Sequence, residues 1–218
     1  MPGLFETRPL IMPLGDSALL VCFSDQLTDA ANRAAIALVR ALEAEPIAGV
    51  EEVAPNLVSV LLRYDPARAE AAAIAGEVRL RLSTPPRAAG EGGGWSIPVR
   101  FDGPDIEAVA QALGLDRAGF IAAHNASKLR VLATGFAPGF VYCGLHKEGL
   151  VLPRRTEVRA AVPPGSVLFA AGQTAITATE VPTGWHVIGR TDFINFDPGA
   201  APPTRLQAGD RVIFTVVA

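Results

Sequence analysis

His124 can exchange a proton near neutral pH, and it stands shortly before the run Gly135-Phe136-Ala137-Pro138-Gly139-Phe140. Two glycines there permit positive φ or close backbone approach, while Pro138 fixes its own φ and biases Ala137 away from the helical region. Phe136 and Phe140 add apolar surface that a merely flexible loop does not need. A rigid turn with an aromatic wall lines a ligand cleft; a turn anchored in the core by its two phenylalanines is the plainer alternative. Further on, Arg154, Arg155 and Arg159 form a basic segment. Arginine clamps a carboxylate, phosphate or bicarbonate through directed donors, and it equally hydrates a turn or pairs with nearby acids. Gln173 and Thr174 place an amide and a hydroxyl just after an apolar strand, suited to orienting a small amide, carbonyl or carboxylate, or to an ordinary hairpin. Trp185 offers a stacking surface or a piece of core.

Other chemistries find less support. His146 and His186 do not combine with His124 into a compact metal pattern, and Cys22 and Cys143 are not paired as ligands, so no metal is expected. Cys143 reads as a buried, inert thiol. Asp16, Asp192, Asp197 and Asp210 are possible bases if they converge, but each sits beside a turn signal where Asp serves the backbone. The sequence lacks GxSxG, GxxxxGK[ST] and a GxGxxG in the right setting, which argues against a serine-hydrolase elbow, a phosphate loop and a dinucleotide fingerprint.

The elements that must position these residues can be read from periodicity. The chain has 218 residues, half of them apolar, and a formal charge of −3, which indicates globular structure and gives no electrostatic reason to expect nucleic acid. No leader or spanning segment is expected, so cytoplasmic residence without membrane attachment is the default. Arg8 to Pro13, Ser17 to Phe23, Val50 to Ala54 and Leu57 to Tyr64 read as strands. Gln26 to Ala44 reads as a helix, and a second is expected from an Asp65-Pro66 cap to about Val78. Arg79 to Leu82 alternates like an edge strand, giving a small split βαβ-like layer. Pro85 to Gly94 reads as a linker. Beyond it a strand at Trp95 to Phe101 and helices after Pro104 and Asp116 precede a mainly β region. Short strands at Ser166 to Ala170, Gln173 to Ala178, Trp185 to Ile188 and Arg211 to Val217, separated by frequent turns, suggest a barrel or sandwich.

Taken in order, the motifs resemble the allophanate hydrolase subunit 1 family, which includes the B-type subunit of bacterial 5-oxoprolinase and a sporulation kinase inhibitor. That family is itself similar to half of the carboxyltransferase region of urea carboxylase. The resemblance rests on LGDSALLVCF from Leu14, APNLVSVLLRYDP from Ala54, FDGPD from Phe101, TGFAPGFVYCGL from Thr134, PRRTEVRAAVPPGSV from Pro153, AGQT from Ala171, PTGWHVIGRT from Pro182 and AGDRV from Ala208. It implies an α+β chain with a small ferredoxin-like amino-terminal domain over 1–84, a linker over 85–94 and a cyclophilin-like β-barrel over 95–218. The chain departs from the family at Leu129 and Thr177, where tyrosines are frequent.

The resemblance also implies a subunit that is inactive alone, acting in a multisubunit ATP-dependent 5-oxoprolinase or related amide hydrolase that opens 5-oxo-L-proline to L-glutamate. Its partners would be a second subunit, of the allophanate hydrolase subunit 2 kind or the C type of 5-oxoprolinase, and an A-type lactam-binding subunit. ATP would be a co-substrate of the assembly. His124 would transfer a proton or polarise the carbonyl, Arg154 and Arg159 would hold an anionic group, and Gln173 would orient the substrate. Phe136, Pro138, Gly139, Phe140, Thr174 and Trp185 would line the substrate site. The alternatives are a biotin-dependent carboxyltransferase component acting on urea or a related amide, and a non-enzymatic histidine-kinase inhibitor.

Overall fold

The computed structural model describes residues 9–83 and 92–217, and the chain divides into two compact units, residues 1–90 and 91–218. Of the linker expected over 85–94, residues 85–91 lie outside the described residues, and Gly94 is already the first residue of a strand.

In the first unit, β1 (Leu10–Pro13) and β2 (Ala18–Cys22) are followed by α1 (Asp29–Ala44), β3 (Val50–Pro55), β4 (Ser59–Tyr64) and α2 (Ala71–Ser83). The strands form one antiparallel sheet in the order β1-β2-β4-β3. Strand β4 therefore lies between β2 and β3, which α1 connects, and this is the split βαβ arrangement the sequence suggests. Helix α1 begins where the Thr28 hydroxyl accepts from the Ala31 N–H at 3.1 Å, with Asp29 in the first turn where the helix dipole favours an acid. Its apolar face, Ala31, Ala35, Leu38 and Leu42, packs with Val21, Val60 and Leu62 of the sheet and with Ile74 and Val78 of α2. Full burial of each larger side chain stabilises by roughly 1.5–3 kcal/mol.

Two expectations are corrected. Asp65 does not cap α2: its carboxylate accepts from the Ala67 N–H at 2.9 Å, closing a local turn, and the helix starts only at Ala71. Arg79 to Leu82 is the last part of α2 and not an edge strand; the sheet edge is taken by β1. The arginine–leucine alternation that imitates a strand also places Val78 and Leu82 four apart on one helical face.

The second unit carries β5 (Gly94–Val99), α3 (Ile106–Ala112), α4 (Arg117–Asn125), β6 (Leu129–Thr134), β7 (Val141–Gly144), β8 (Arg159–Val162), β9 (Ser166–Ala170), β10 (Gln173–Ile176), β11 (Val181–Thr183), β12 (His186–Arg190) and β13 (Arg211–Val216). Seven strands form a sheet in the order β12-β9-β10-β7-β6-β13-β5, and β11 pairs with β8 separately. The sheet curls until its edges meet. Arg100, just past β5, and Arg190 of β12 exchange both backbone hydrogen bonds at 2.9 Å. Inside the curl lies a core that includes Ile97, Phe120, Val131, Val141, Cys143, Phe169, Ile176, Ile188 and Phe214. Burial pushes the Cys143 thiol up to about 12, so it is inert at neutral pH. A smaller apolar cluster on the other side of the sheet contains Phe140, Leu168, Ala170, Ala175, Trp185 and Val187.

Candidate functional site on two sides of the barrel sheet

The Gly135–Phe140 run is the tight connection between β6 and β7. Gly135 N–H donates to the Phe140 carbonyl at 3.0 Å, and Phe140 N–H donates to the Ala137 carbonyl at 3.0 Å. Gly139 has φ +68°, and a Cβ there would lie 2.5 Å from Phe196 Cβ and 2.7 Å from Ala178 Cβ, so both conformation and space demand glycine. The buried Asn195 amide donates to the Gly139 carbonyl at 2.9 Å while its oxygen accepts from Leu206 N–H at 2.8 Å, latching the loop to the barrel. Phe136 is the unusual member: its φ is +73° and its side chain is 71% exposed. A large apolar side chain in left-handed backbone, facing solvent, costs stability on two counts.

From Phe136 an aromatic strip runs along the outer side of the sheet. Ring centroids are 5.4 Å apart from Phe136 to Phe140, 4.8 Å from Phe140 to Tyr142 and 5.9 Å from Tyr142 to Trp185. The exposed Arg154 guanidinium lies 5.9 Å from the Trp185 ring centroid. Burial pushes the Tyr142 hydroxyl pKa up while the charge of Arg154 pulls it down, so the cation is felt at the strip. Gln173 alternates with Thr174 along β10 and so shares this outer side with Ala175. It is only 6% exposed, and its Oε1 is buried without a hydrogen-bond partner.

The arginine segment divides. Arg155 Nη1 and Arg159 Nη2 donate to the same oxygen of Asp105 at 2.8 and 2.6 Å, and the other oxygen accepts from Val187 N–H at 2.8 Å. Asp105 is buried, so the anion expected at Arg159 is supplied by the protein itself. Arg154 makes no ion pair among the described residues. The segment is further held by Arg155 N–H to the Gly184 carbonyl at 2.7 Å and by His186 Nε2 to the Pro153 carbonyl at 3.0 Å.

His124 lies on the other side of the sheet. It is fully buried on α4, whose start is fixed by the predicted Asp116 cap, accepting from Gly119 N–H at 2.7 Å. Phe101, Phe120, Phe169 and Phe214 surround its ring at centroid distances of 5.4, 5.8, 6.2 and 5.3 Å. Its Nδ1 meets Asn125 Oδ1 at 2.7 Å, and its Nε2 meets the Thr174 hydroxyl at 2.7 Å. The same hydroxyl meets His146 Nε2 at 2.8 Å, and the two imidazoles lie 4.7 Å apart. With the Asn125 amide oxygen turned toward His124, hydrogen counting gives this chain one direction. Asn125 Oδ1 accepts, so His124 carries its proton on Nδ1 and its Nε2 accepts from the Thr174 hydroxyl. That hydroxyl has a single proton, so His146 must donate from Nε2. Burial lowers the His124 pKa to about 4; burial, and then the neighbouring His124, lower that of His146 to about 3. Both rings are neutral at pH 7.

The residues singled out in the sequence thus fall into two groups. Phe136, Pro138, Gly139, Phe140, Trp185, Arg154 and Gln173 belong to the loop and outer side, whereas His124 and Thr174 face the barrel interior. Sequence reading missed His146, Asp105 and Asn195, whose partners lie 28, 50 and 56 residues away along the chain. Leu129 and Thr177, where the resemblance leads one to expect tyrosines, are both buried. The aspartates considered as bases do not converge: Asp192 pairs with Arg100, and Asp210 accepts from Gly93 N–H, Trp95 Nε1 and Gln207 N–H. Among the described residues no group of three or more His, Cys, Asp or Glu side chains could hold a metal, and no helix is long and apolar enough to cross a membrane. A cleft of about 720 Å³ in the first unit, between Ile47, Ala69, Ile74 and Arg81, contains none of the candidate residues.

Comparison with known proteins agrees with this architecture. Residues 9–206 match the family described as carboxyltransferase domain, subdomain C and D. The B-type subunit of 5-oxoprolinase from Bacillus subtilis (strain 168) is 30% identical over 95% of this chain and 92% of its own length. The crystal structure of TTHA0988 has a TM-score of 0.81 and 34% identity over 92% of this chain, which spans 40% of that protein. The urea amidolyase of K. lactis shares the fold at 16% identity, with a TM-score of 0.76 over 96% of this chain and 15% of its own. By its motifs, its curled sheet and these matches, the chain belongs to the carboxyltransferase domain family of subdomains C and D.

Proposed function

We propose that this chain is a subunit, inactive alone, of an ATP-dependent 5-oxoprolinase that opens 5-oxo-L-proline to L-glutamate. The observation that carries the reading is the outer strip. It offers an aromatic wall where Tyr142 and Trp185 meet edge to face, the cation Arg154 at one end, and the unpartnered carbonyl oxygen of buried Gln173 on the same side of the sheet. 5-Oxo-L-proline has the matching parts: a small flat ring, a carboxylate and a lactam N–H. Arg154 pairs with the carboxylate, and Gln173, whose Oε1 is closed to solvent in the free chain, accepts from the N–H once its side chain turns toward the ligand. Phe136, Pro138, Gly139 and Phe140 shape the wall. Arg159, held by Asp105, fixes the segment that carries Arg154. His124 and Thr174 act from behind the sheet, as a neutral hydrogen-bonded support.

The strip supplies no nucleophile, and the starts of α1 and α4 are occupied by their own Thr28 and Asp116 caps, leaving no phosphate cradle there. In this reading ATP is handled by other members of a cytoplasmic assembly: a C-type partner with a matching barrel, and an A-type lactam-binding subunit. In that assembly the lactam oxygen takes the terminal phosphoryl group of ATP. With ADP released, one water adds to the ring carbonyl carbon and the ring C–N bond breaks, its nitrogen gaining a proton, to leave an acyl phosphate that a second water cleaves to the carboxylate and phosphate. The family match and the shared fold of the K. lactis enzyme favour a second reading, in which the same wall takes the ureido ring of biotin during carboxyl transfer to urea or a related amide.

The test is ATP-dependent 5-oxoproline hydrolysis by the purified chain with and without its paired subunits. Turnover is expected only in the assembly, with Arg154→Ala raising KM more than it lowers kcat. A stable assembly that shows no turnover overturns the reading, and biotin-dependent carboxyl transfer by it would establish the second.

A further inference from the structure

The cleft in the first unit is framed at both ends. At one end the turn from α1 to β3 meets the loop from β4 to α2: Asp65 N–H donates to the Gly49 carbonyl at 3.1 Å, and Ala69 packs so closely that a Cβ on Gly49 would overlap it. At the other end the same turn meets α2, where Arg81 Nη2 donates to the Glu45 carbonyl at 3.2 Å. Between these contacts residues 46–48 stand apart from α2 and leave about 720 Å³. That volume is within the roughly 300–1,000 Å³ of small-molecule pockets, and framed ends suit a short ligand better than a polypeptide passing through. The buried side chains of Ile47 and Ile74 line it, with Pro46 and Ala73 beside them. Four charged side chains line it as well. Glu77 and Arg81 neutralise each other at 2.7 Å. Arg68 and Glu70 have no side-chain hydrogen bond or ion pair among the described residues, so one cation and one anion, two residues apart in one loop, remain uncompensated.

We propose that this cleft binds a small zwitterion with one apolar arm, an α-amino acid with a side chain such as that of leucine. Arg68 pairs with its carboxylate, Glu70 with its ammonium group, and the apolar arm lies on Ile47 and Ile74. The ligand brings one charge of each sign because the cleft leaves one of each open. A ligand carrying only a carboxylate, or only an ammonium group, would satisfy one of the two side chains and leave the other unpaired. The small side chains of Ala48, Ala67, Ala69 and Ala73 keep the space clear. The site is independent of the hydrolase reading, since it lies wholly in the first unit, shares no residue with the outer strip and concerns binding without turnover.

Titration of the full-length chain, followed by NMR of its backbone amides, tests the proposal with L-leucine, leucinamide, N-acetyl-L-leucine and glycine as probes. L-leucine should shift the amides of residues 67–74 saturably, with a Kd on the order of 1 mM. Leucinamide lacks the carboxylate, N-acetyl-L-leucine the ammonium group and glycine the apolar arm, so each should bind more weakly. No saturable response to L-leucine, shifts confined to other residues, or equal binding of all four probes overturns the proposal. Arg68 and Glu70 are exposed, so Arg68→Gln and Glu70→Gln should keep the fold. Each should weaken L-leucine by roughly threefold to fivefold. The losses should be selective: Arg68→Gln leaves leucinamide binding unchanged, and Glu70→Gln leaves that of N-acetyl-L-leucine unchanged. Undiminished L-leucine binding in both variants, or losses that do not depend on the probe, also overturns the site.

Discussion

Gln173 and Thr174 are adjacent in the chain and face opposite sides of the barrel sheet. The Thr174 hydroxyl joins two histidines in the interior, whereas the Gln173 carbonyl oxygen is buried on the outer side with no partner. Their substitutions should therefore diverge. Thr174→Val leaves two imidazole nitrogens unpaired and should lower stability by about 2–4 kcal/mol. Gln173→Leu removes an unsatisfied group and should leave stability unchanged or raise it by about 1 kcal/mol while abolishing activity in the assembled complex. Urea denaturation midpoints and turnover measured together check the pair.

Acid should destabilise the fold through the two interior histidines. In the folded state their pKa values are lowered to about 4 and about 3, against 6.5 for a free histidine. The unfolded chain therefore binds more protons below pH 6.5, and stability falls as pH drops through that value toward 4 and is level above about 7. The loss over that window should be on the order of several kcal/mol. Unfolding free energies from pH 4 to 8 should show this slope, and His146→Gln should flatten it.

Gly139→Ala should be costly. The added methyl meets Phe196 and Ala178 Cβ atoms at 2.5 and 2.7 Å, and the backbone is held at φ +68°. A loss of about 2–4 kcal/mol is expected, whereas the same change at Gly135, which has open space around it, should cost only about 1–2 kcal/mol for its φ. Thermal denaturation of both variants separates clash from conformation.

Asp105→Ala should destabilise by about 3–5 kcal/mol, because Arg155 and Arg159 would lose the buried carboxylate they share and Val187 N–H its acceptor. Changing Arg154, whose side chain is exposed, should move stability by less than about 0.5 kcal/mol. Guanidinium denaturation of the variants checks both.

Phe136→Gly should not lower stability, since glycine accepts φ +73° freely and the lost side chain is largely exposed. Association with the paired subunit should weaken at least about tenfold if the ring is an interface anchor. Calorimetric titration of the two proteins measures this.

Much of the fold was readable because local signals agreed with their surroundings. The Thr28 and Asp116 caps, the turn at Gly114 and the strand Ser166–Ala170 each follow from residues a few positions apart. Arg79 to Leu82 misled because four residues satisfy a strand's period and a helix's equally, and burial of Val78 decided for the helix. The loop at Gly135–Phe140 was legible for the same local reason. The division of the site was not, since strand alternation sets Gln173 and Thr174 on opposite faces but does not tell that both faces are buried. Nor could the chain show that His146 returns to His124, because only the curl of the sheet brings them to one hydroxyl.

The closure of the barrel also sets a schedule for its manufacture. Strand β5 opens the unit and its long-range neighbour is β13, paired in parallel from Gly94–Arg211 to Val99–Val216. Val212 and Phe214 complete the interior. On the ribosome, β5 must wait for nearly the whole unit to be synthesised before its partner emerges, with Ile97 and Val99 uncovered meanwhile. Nascent chains halted before Arg211 should remain sensitive to protease in this unit, and those extended past Val217 and clear of the exit tunnel should not.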